Sequence, residues 1–134
     1  MLQSVETASL TYTHHDTKIH EFVFLEPTTK AIDAWITQVE VILKATPSDQ
    51  QVMYIFDVTQ TSVPPLAYAL RRVKDVHHRF PNRPYARVAF VMNSGFLISL
   101  VETFVATLRS QRDLVRFFRA DQRHEAVAWL LNDR

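Results

Sequence analysis

Two uninterrupted apolar runs constrain this chain more than any other feature: Val52-Met53-Tyr54-Ile55-Phe56, and Ala86 to Met92, broken only by Arg87 near its start. A strand with one solvated face alternates apolar and polar residues. A run without alternation fits a strand covered on both faces, the place of a central strand in an α/β sheet. Helical spacing follows each run. After the first, Pro64 and Pro65 fit the opening turn of a helix over about 63–80, which would bury Leu66, Leu70, Val73 and Phe80. After the second, Asn93, Ser94 and Gly95 make a tight turn into a helix from Phe96 to about Ser110. Its stripe is Leu97, Leu100, Val101, Phe104, Val105 and Leu108, with Phe96 and Ile98 outside it.

The flanking sequence completes the pattern. Residues 8–25 alternate, with Leu10 and Tyr12 before a turn-like His14-His15-Asp16-Thr17 and Ile19, Phe22 and Phe24 after it, so they predict a β-hairpin. Thr28 or Thr29 can cap a helix over about 29–45 carrying Ile32, Trp35, Ile36, Val39 and Leu43. Leu114 to Phe118 predicts a short strand, and Asp121 a cap for a last helix that packs through Ala126, Val127, Trp129 and Leu130. The order is ββαβαβαβα. Strand–helix–strand crossovers favour parallel neighbours, so the expectation is one α/β domain over 1–134. It would have a mixed, mostly parallel five-stranded sheet, an N-terminal hairpin and about four helices.

Composition removes several classes of function. One glycine in 134 residues leaves no room for a P-loop or a dinucleotide fingerprint. The absence of cysteine excludes disulfides, thiolate nucleophiles and thiolate metal sites. Neither HExxH nor G-x-S-x-G occurs, so no catalytic residue and no cofactor is implied. His14, His15 and His20 read as solvated positions around the hairpin, and His77 and His78, about 100° apart on a helix, cannot readily share a metal. The longest apolar stretch, Phe96 to Leu108, contains Glu102 and is too short to span a bilayer, and the first residues lack a secretory pattern. A cytoplasmic protein without membrane insertion is expected.

The order of elements, with the segments FDVTQTSVPPLAYAL and VRFFRADQRHEAVAWLL, resembles the SpoIIAA-like proteins, which are related in fold to STAS domains and have been likened to CRAL-TRIO lipid carriers. The resemblance spans nearly the whole chain and implies a STAS-like fold. In anti-sigma-factor antagonists of that fold, a serine in an Asp-Ser-Ser-Gly-like turn is phosphorylated. Here the turn reads Asp57-Val-Thr-Gln-Thr-Ser-Val-Pro-Pro: Asp57 and Thr59 keep something of its opening, the glycine is missing, and two prolines stand where the serine pair would be expected. Thr61 and Ser62 are the residues able to accept phosphate there, and equally able to serve as a helix N-cap.

Ligands of open α/β sheets bind beyond the carboxyl ends of the strands. This points to the two connections holding Thr59, Thr61 and Ser62, and Asn93, Ser94 and Gly95, as candidate ligand or anion sites. As the only glycine, Gly95 is expected to meet a backbone need, either a positive φ or a close approach. Phe96, Leu97, Leu100, Val101 and Phe104 exceed what one helix face requires; they could line a cavity, form an interface or lie in plain core. All eleven arginines fall after position 70, where they and Lys74 face six acids, whereas residues 1–70 hold three lysines against eight acids. Arg71, Arg72, Lys74 and Arg79 form a basic stripe beside Asp75 and His78, suited to an acidic partner unless the two halves interleave. A net charge of +1 and the lack of stacking aromatics on that face argue against nucleic acid. Two functions are expected: a non-enzymatic regulatory or protein-interaction module, self-associating as a homodimer, or a small carrier or sensor of an apolar or amphiphilic molecule.

Overall fold

The computed structural model describes residues 3–106, 108 and 113–132. In chain order the elements are β1 (Gln3–Glu6), β2 (Leu10–His14), β3 (Ile19–Phe24), α1 (Thr29–Ala45), β4 (Gln51–Asp57), α2 (Leu66–Arg79), β5 (Tyr85–Met92), α3 (Gly95–Val105), β6 (Leu114–Arg119) and α4 (Arg123–Leu131). The strands form one sheet of six in the order of the chain; β1, β2 and β3 pair antiparallel, and β3 to β6 run parallel. Six strands replace the expected five. The addition, β1, has the sequence QSVE, whose one apolar residue, Val5, is exposed; an edge strand of this kind leaves no periodic trace in sequence.

The expected hairpin is β2–β3. His15 N–H donates to Ile19 O and Lys18 N–H to His15 O, each at 2.9 Å, while Lys18 takes the left-handed corner of the turn at φ 73°. That is a three-to-five-residue hairpin turn with a left-handed residue at the bulge.

Strand order equal to chain order has a direct consequence for the helices. Three crossovers that step the same way across the sheet, each right-handed, place α1, α2 and α3 on one face. On this first face Leu10, Tyr12, Phe22, Phe24, Tyr54, Phe56 and Val88 pack with Ile32, Ile36, Val39, Val76 and Val101 of those helices. Parallel register aligns Phe22, Phe56, Phe90 and Phe117 in one row, with Tyr12 opposite Phe22 across the antiparallel pair. Successive ring centroids along the row lie 5.0 to 5.7 Å apart, the spacing of favourable aromatic pairs. The second face has α4 alone, which packs Ala126 and Leu130 onto Ile19, Ile55, Ala89, Val91 and Phe118. Strands β4 and β5 are covered from both sides, as their unbroken apolar runs require.

Helix α1 has its expected bounds, with Ala31 N–H donating to the Thr28 hydroxyl at 3.2 Å. Helix α2 corrects its expected start. Val63 precedes Pro64 and Pro64 precedes Pro65, and a residue before proline is driven out of the α region. The prolines therefore stand ahead of the helix, which opens at Leu66 behind an extended Pro65 at ψ 106°. Neither Thr61 nor Ser62 caps it. Val76 is its fully buried residue, while Leu66, Leu70, Val73 and Phe80 are half-buried. Helix α3 begins at Gly95 behind a Ser94 cap; its expected end near Ser110 lies outside the described residues. Asp121 is not the cap of the last helix. It lies in a 3-10 turn, Ala120–Gln122, where Gln122 Oε1 accepts from Arg119 N–H at 2.9 Å.

Candidate functional site

A cavity of about 140 Å³ lies between α1, α2 and the first face of the sheet. Trp35, Ile36, Val39 and Leu43 of α1 wall one side, Val73 and Val76 of α2 another, and Val52, Tyr54, Phe56, Ala86, Val88, Phe90 and Val115 form its floor. Val105 and Leu108 reach it from the end of α3. Trp35 packs edge-to-face on Phe56 and Phe24 at 5.2 and 5.9 Å, and its buried indole N–H has no acceptor among the described residues.

Four polar side chains also line this cavity. Tyr54 comes from β4, His77 from the last turn of α2, Arg83 from the connection into β5, and Asp113 from the residue before β6. Parallel register is what gathers them, because Val52 and Ala86 pair side by side and so bring the amino ends of the strands together. Arg83 Nη2 donates to Asp113 Oδ2 at 3.4 Å, with each side chain 12% exposed. Burial, then the neighbouring Arg83, pushes His77 below the ordinary histidine value, against an opposing pull from Asp113. Burial pushes the Tyr54 phenol above its ordinary value, aided by Tyr12 and Asp113. At neutral pH both groups are uncharged, and Arg83 lies against the opposite charge of Asp113.

The two connections singled out at the carboxyl ends do meet. Asn93 Nδ2 donates to Thr59 O at 2.9 Å, and Asp57 Oδ1 accepts from Thr59 N–H at 2.8 Å and from its hydroxyl at 2.7 Å. Ser94 accepts from Leu97 N–H at 3.3 Å. Thr61 is half-buried and Ser62 exposed on the way to α2. Gly95 does not have the expected backbone need: its φ is not positive, and an added methyl would meet Arg119 Nη2 at an ordinary 3.5 Å. The cavity is at the other end of the strands.

Helix α3 also departs from expectation. Val101 is buried and Leu97, Ile98 and Val105 pack on the core, whereas Leu100 is 39% exposed and Phe96 77% exposed. Ile98 thus belongs to the packing stripe and Leu100 does not; Phe104 is half-buried. Ser99, Glu102 and Thr103 mark the exposed side of the helix, and Leu100 lies beside them.

The basic stripe of α2 is partly tied to α1. Arg72 Nη1 and the Tyr68 hydroxyl donate to Asp33 Oδ1 at 2.9 and 2.5 Å, and Arg79 pairs with Glu40 and, at 2.9 Å, with Asp75. Arg71 lies over the Tyr68 ring at 5.5 Å, and Lys74 is exposed. On the second face, buried Glu21 accepts from His15 Nε2 at 2.7 Å and from Arg123 Nη2 at 2.5 Å. Burial works to raise the Glu21 pKa, but those hydrogen bonds prevail and hold it below the usual carboxylate range. The acidic and basic halves of the sequence therefore interleave.

Around the hairpin, Tyr12 and His20 Nδ1 share a 2.8 Å hydrogen bond, and His14 stacks on His20 at 4.1 Å. Burial, then His14, lowers the His20 pKa to about 4. Among the described residues, no three metal-ligating side chains converge, and no helix is long and apolar enough to cross a membrane.

Sequence reasoning missed Trp35, Tyr54, His77, Arg83 and Asp113 as one site. The available signal was positional: Arg83 and Asp113 both stand just ahead of an apolar strand. His77 had read as surface, yet it is half-buried against the cavity while its neighbour His78 is exposed.

No protein-family model matches the sequence, and no curated protein matches it. Among solved structures, the chain is similar to an uncharacterized protein of the DUF3478 family from Shewanella loihica PV-4, described as having a SpoIIAA-like fold. The TM-score is 0.57 at 17% identity, over 97% of this chain and 92% of that one. The likeness is one of fold, and the fold is SpoIIAA-like.

Proposed function

We propose that this protein is a non-enzymatic binding module, a small carrier or sensor, whose ligand is a molecule with an apolar body held between α1, α2 and the first face of the sheet. The supporting observation is the cavity: an apolar, aromatic-walled space with a few convergent polar groups is the usual form of a small-molecule site, and here Tyr54, His77, Arg83 and Asp113 supply those groups. Native mass spectrometry of protein purified gently from its own host tests the reading. A retained small molecule is expected. Ligand-free protein that no apolar probe stabilises would count against it.

A second reading, a regulatory module that docks a protein partner or a second copy of itself, draws on the exposed Phe96 and Leu100 of α3. Exposed apolar clusters on soluble proteins commonly have partners. Light scattering after size exclusion tests it: a dimer that Phe96→Ser converts to monomer supports this reading, and a monomer at every concentration removes self-association from it.

A further inference from the structure

The volume, walls and charge balance of the cavity limit what can occupy it. Resting on the ligand-binding reading above, we propose that the occupant is a single neutral aromatic ring of benzene-to-phenol size, with one polar substituent set among Tyr54, His77, Arg83 and Asp113. Size is the first argument. Drug-sized ligands fill pockets of roughly 300–1,000 Å³, and an apolar cavity of about 150 Å³ is known to take up benzene. A space of about 140 Å³ suits one ring, and a long acyl chain would have to extend beyond it.

The walls give the second argument. Trp35, Tyr54, Phe56 and Phe90 all border the space, and aromatic rings pack well on one another in edge-to-face or offset contacts. Trp35 also leaves its buried indole N–H without an acceptor among the described residues. A π face or a substituent oxygen is a suitable partner for that donor.

Charge supplies the third argument. Arg83 and Asp113 form a nearly buried pair of opposite sign, and burial keeps His77 and Tyr54 in their neutral forms at pH 7. An incoming carboxylate would have to be desolvated with no unbalanced cation among the described residues to receive it, which is costly. A hydroxyl needs only a hydrogen bond. The polar groups therefore select a phenol-like ligand over an aromatic or aliphatic acid.

The test is a titration of the full chain at pH 7 with phenol, benzoate and decanoate, read from the two indole N–H resonances. Phenol should bind saturably and move the Trp35 signal while that of Trp129, a residue of α4 on the second face, stays in place. Benzoate and decanoate should bind at least tenfold more weakly. Ala86→Leu, which fills the floor of the cavity, should abolish phenol binding; Val73→Leu serves the same purpose if the first variant does not fold. Benzoate as tight as phenol would overturn the neutral-ligand assignment, and decanoate tighter than phenol would overturn the size limit; either leaves the broader binding reading standing. If none of the three moves Trp35, the single-ring proposal fails, and the broader reading fails with it only when native mass spectrometry also finds no ligand.

Discussion

The two faces of the sheet are held in different ways. Three helices cover the first face, yet a cavity remains under α1 and α2, and α3 turns Phe96 and Leu100 toward solvent. One short helix covers the second face, and its contacts are specific. Arg87, 3% exposed in the middle of the sheet, lays its guanidinium 4.6 Å from the Trp129 ring and donates to Asn132 O beyond the end of α4. At the other end of the helix, Arg123 reaches the buried carboxylate of Glu21. Crossover helices are placed by the strands they join, whether or not their side chains fill the space beneath. Helix α4, which joins no two of the described strands, depends on its side-chain contacts, and these include cations aimed at fixed acceptors.

The largest test of this contrast is Leu130→Ala. Leu130 of α4 is fully buried, so truncation should cost about 3–4 kcal/mol, read by chemical denaturation. Val88→Ala, beside a space that already exists on the first face, should cost about 1–2 kcal/mol. Equal losses at the two positions would erase the difference in packing.

Acid separates the faces by a different route. The unfolded chain binds a proton at His20 near 6.5, and the folded chain only near pH 4. The stability His20 contributes is therefore whole above pH 6.5 and is lost as pH falls toward 4, by at most about 3 kcal/mol. Denaturation midpoints measured across that window should decline, and His20→Gln should flatten the decline. Glu21, with its lowered pKa, adds a further loss as pH falls through the ordinary carboxylate range toward its own folded value.

Arg87→Ala removes a cation–π contact and a hydrogen bond, for an expected cost of about 2 kcal/mol. Hydrogen exchange sharpens the point: amides of α4 should lose protection while those of α1 keep theirs. The smallest effect is expected for Gly95→Ala. The new methyl meets only ordinary contact, and alanine favours helix over glycine, so a gain of about 0.5 kcal/mol in thermal or chemical denaturation is expected. A loss there would mean that α3 packs more tightly than its exposure indicates.

What could be read from sequence followed from local periodicity. Residues 52–56 and 86–92 announced central strands because burial on both faces removes polar residues from the run, and α1 announced itself through a cap and a stripe. The start of α2 was legible too, had the restriction on residues before proline been applied to Val63 and Pro64. Strand β1 was not legible, since QSVE pairs through backbone groups that every residue has. The cavity was hidden for another reason. Tyr54, His77, Arg83 and Asp113 come from four separate places in the chain, and only the parallel register of β4, β5 and β6 puts them together.

A sheet whose strands add in chain order can be assembled as the polypeptide leaves the ribosome, each new strand docking beside the one just made. The first face gains its helices along the way. The second cannot: Ile55, Ala89, Val91 and Phe118 are covered by α4, which follows every described strand. Any folding intermediate that forms the sheet before α4 docks would therefore carry one sticky side, the kind of surface that chaperones shield.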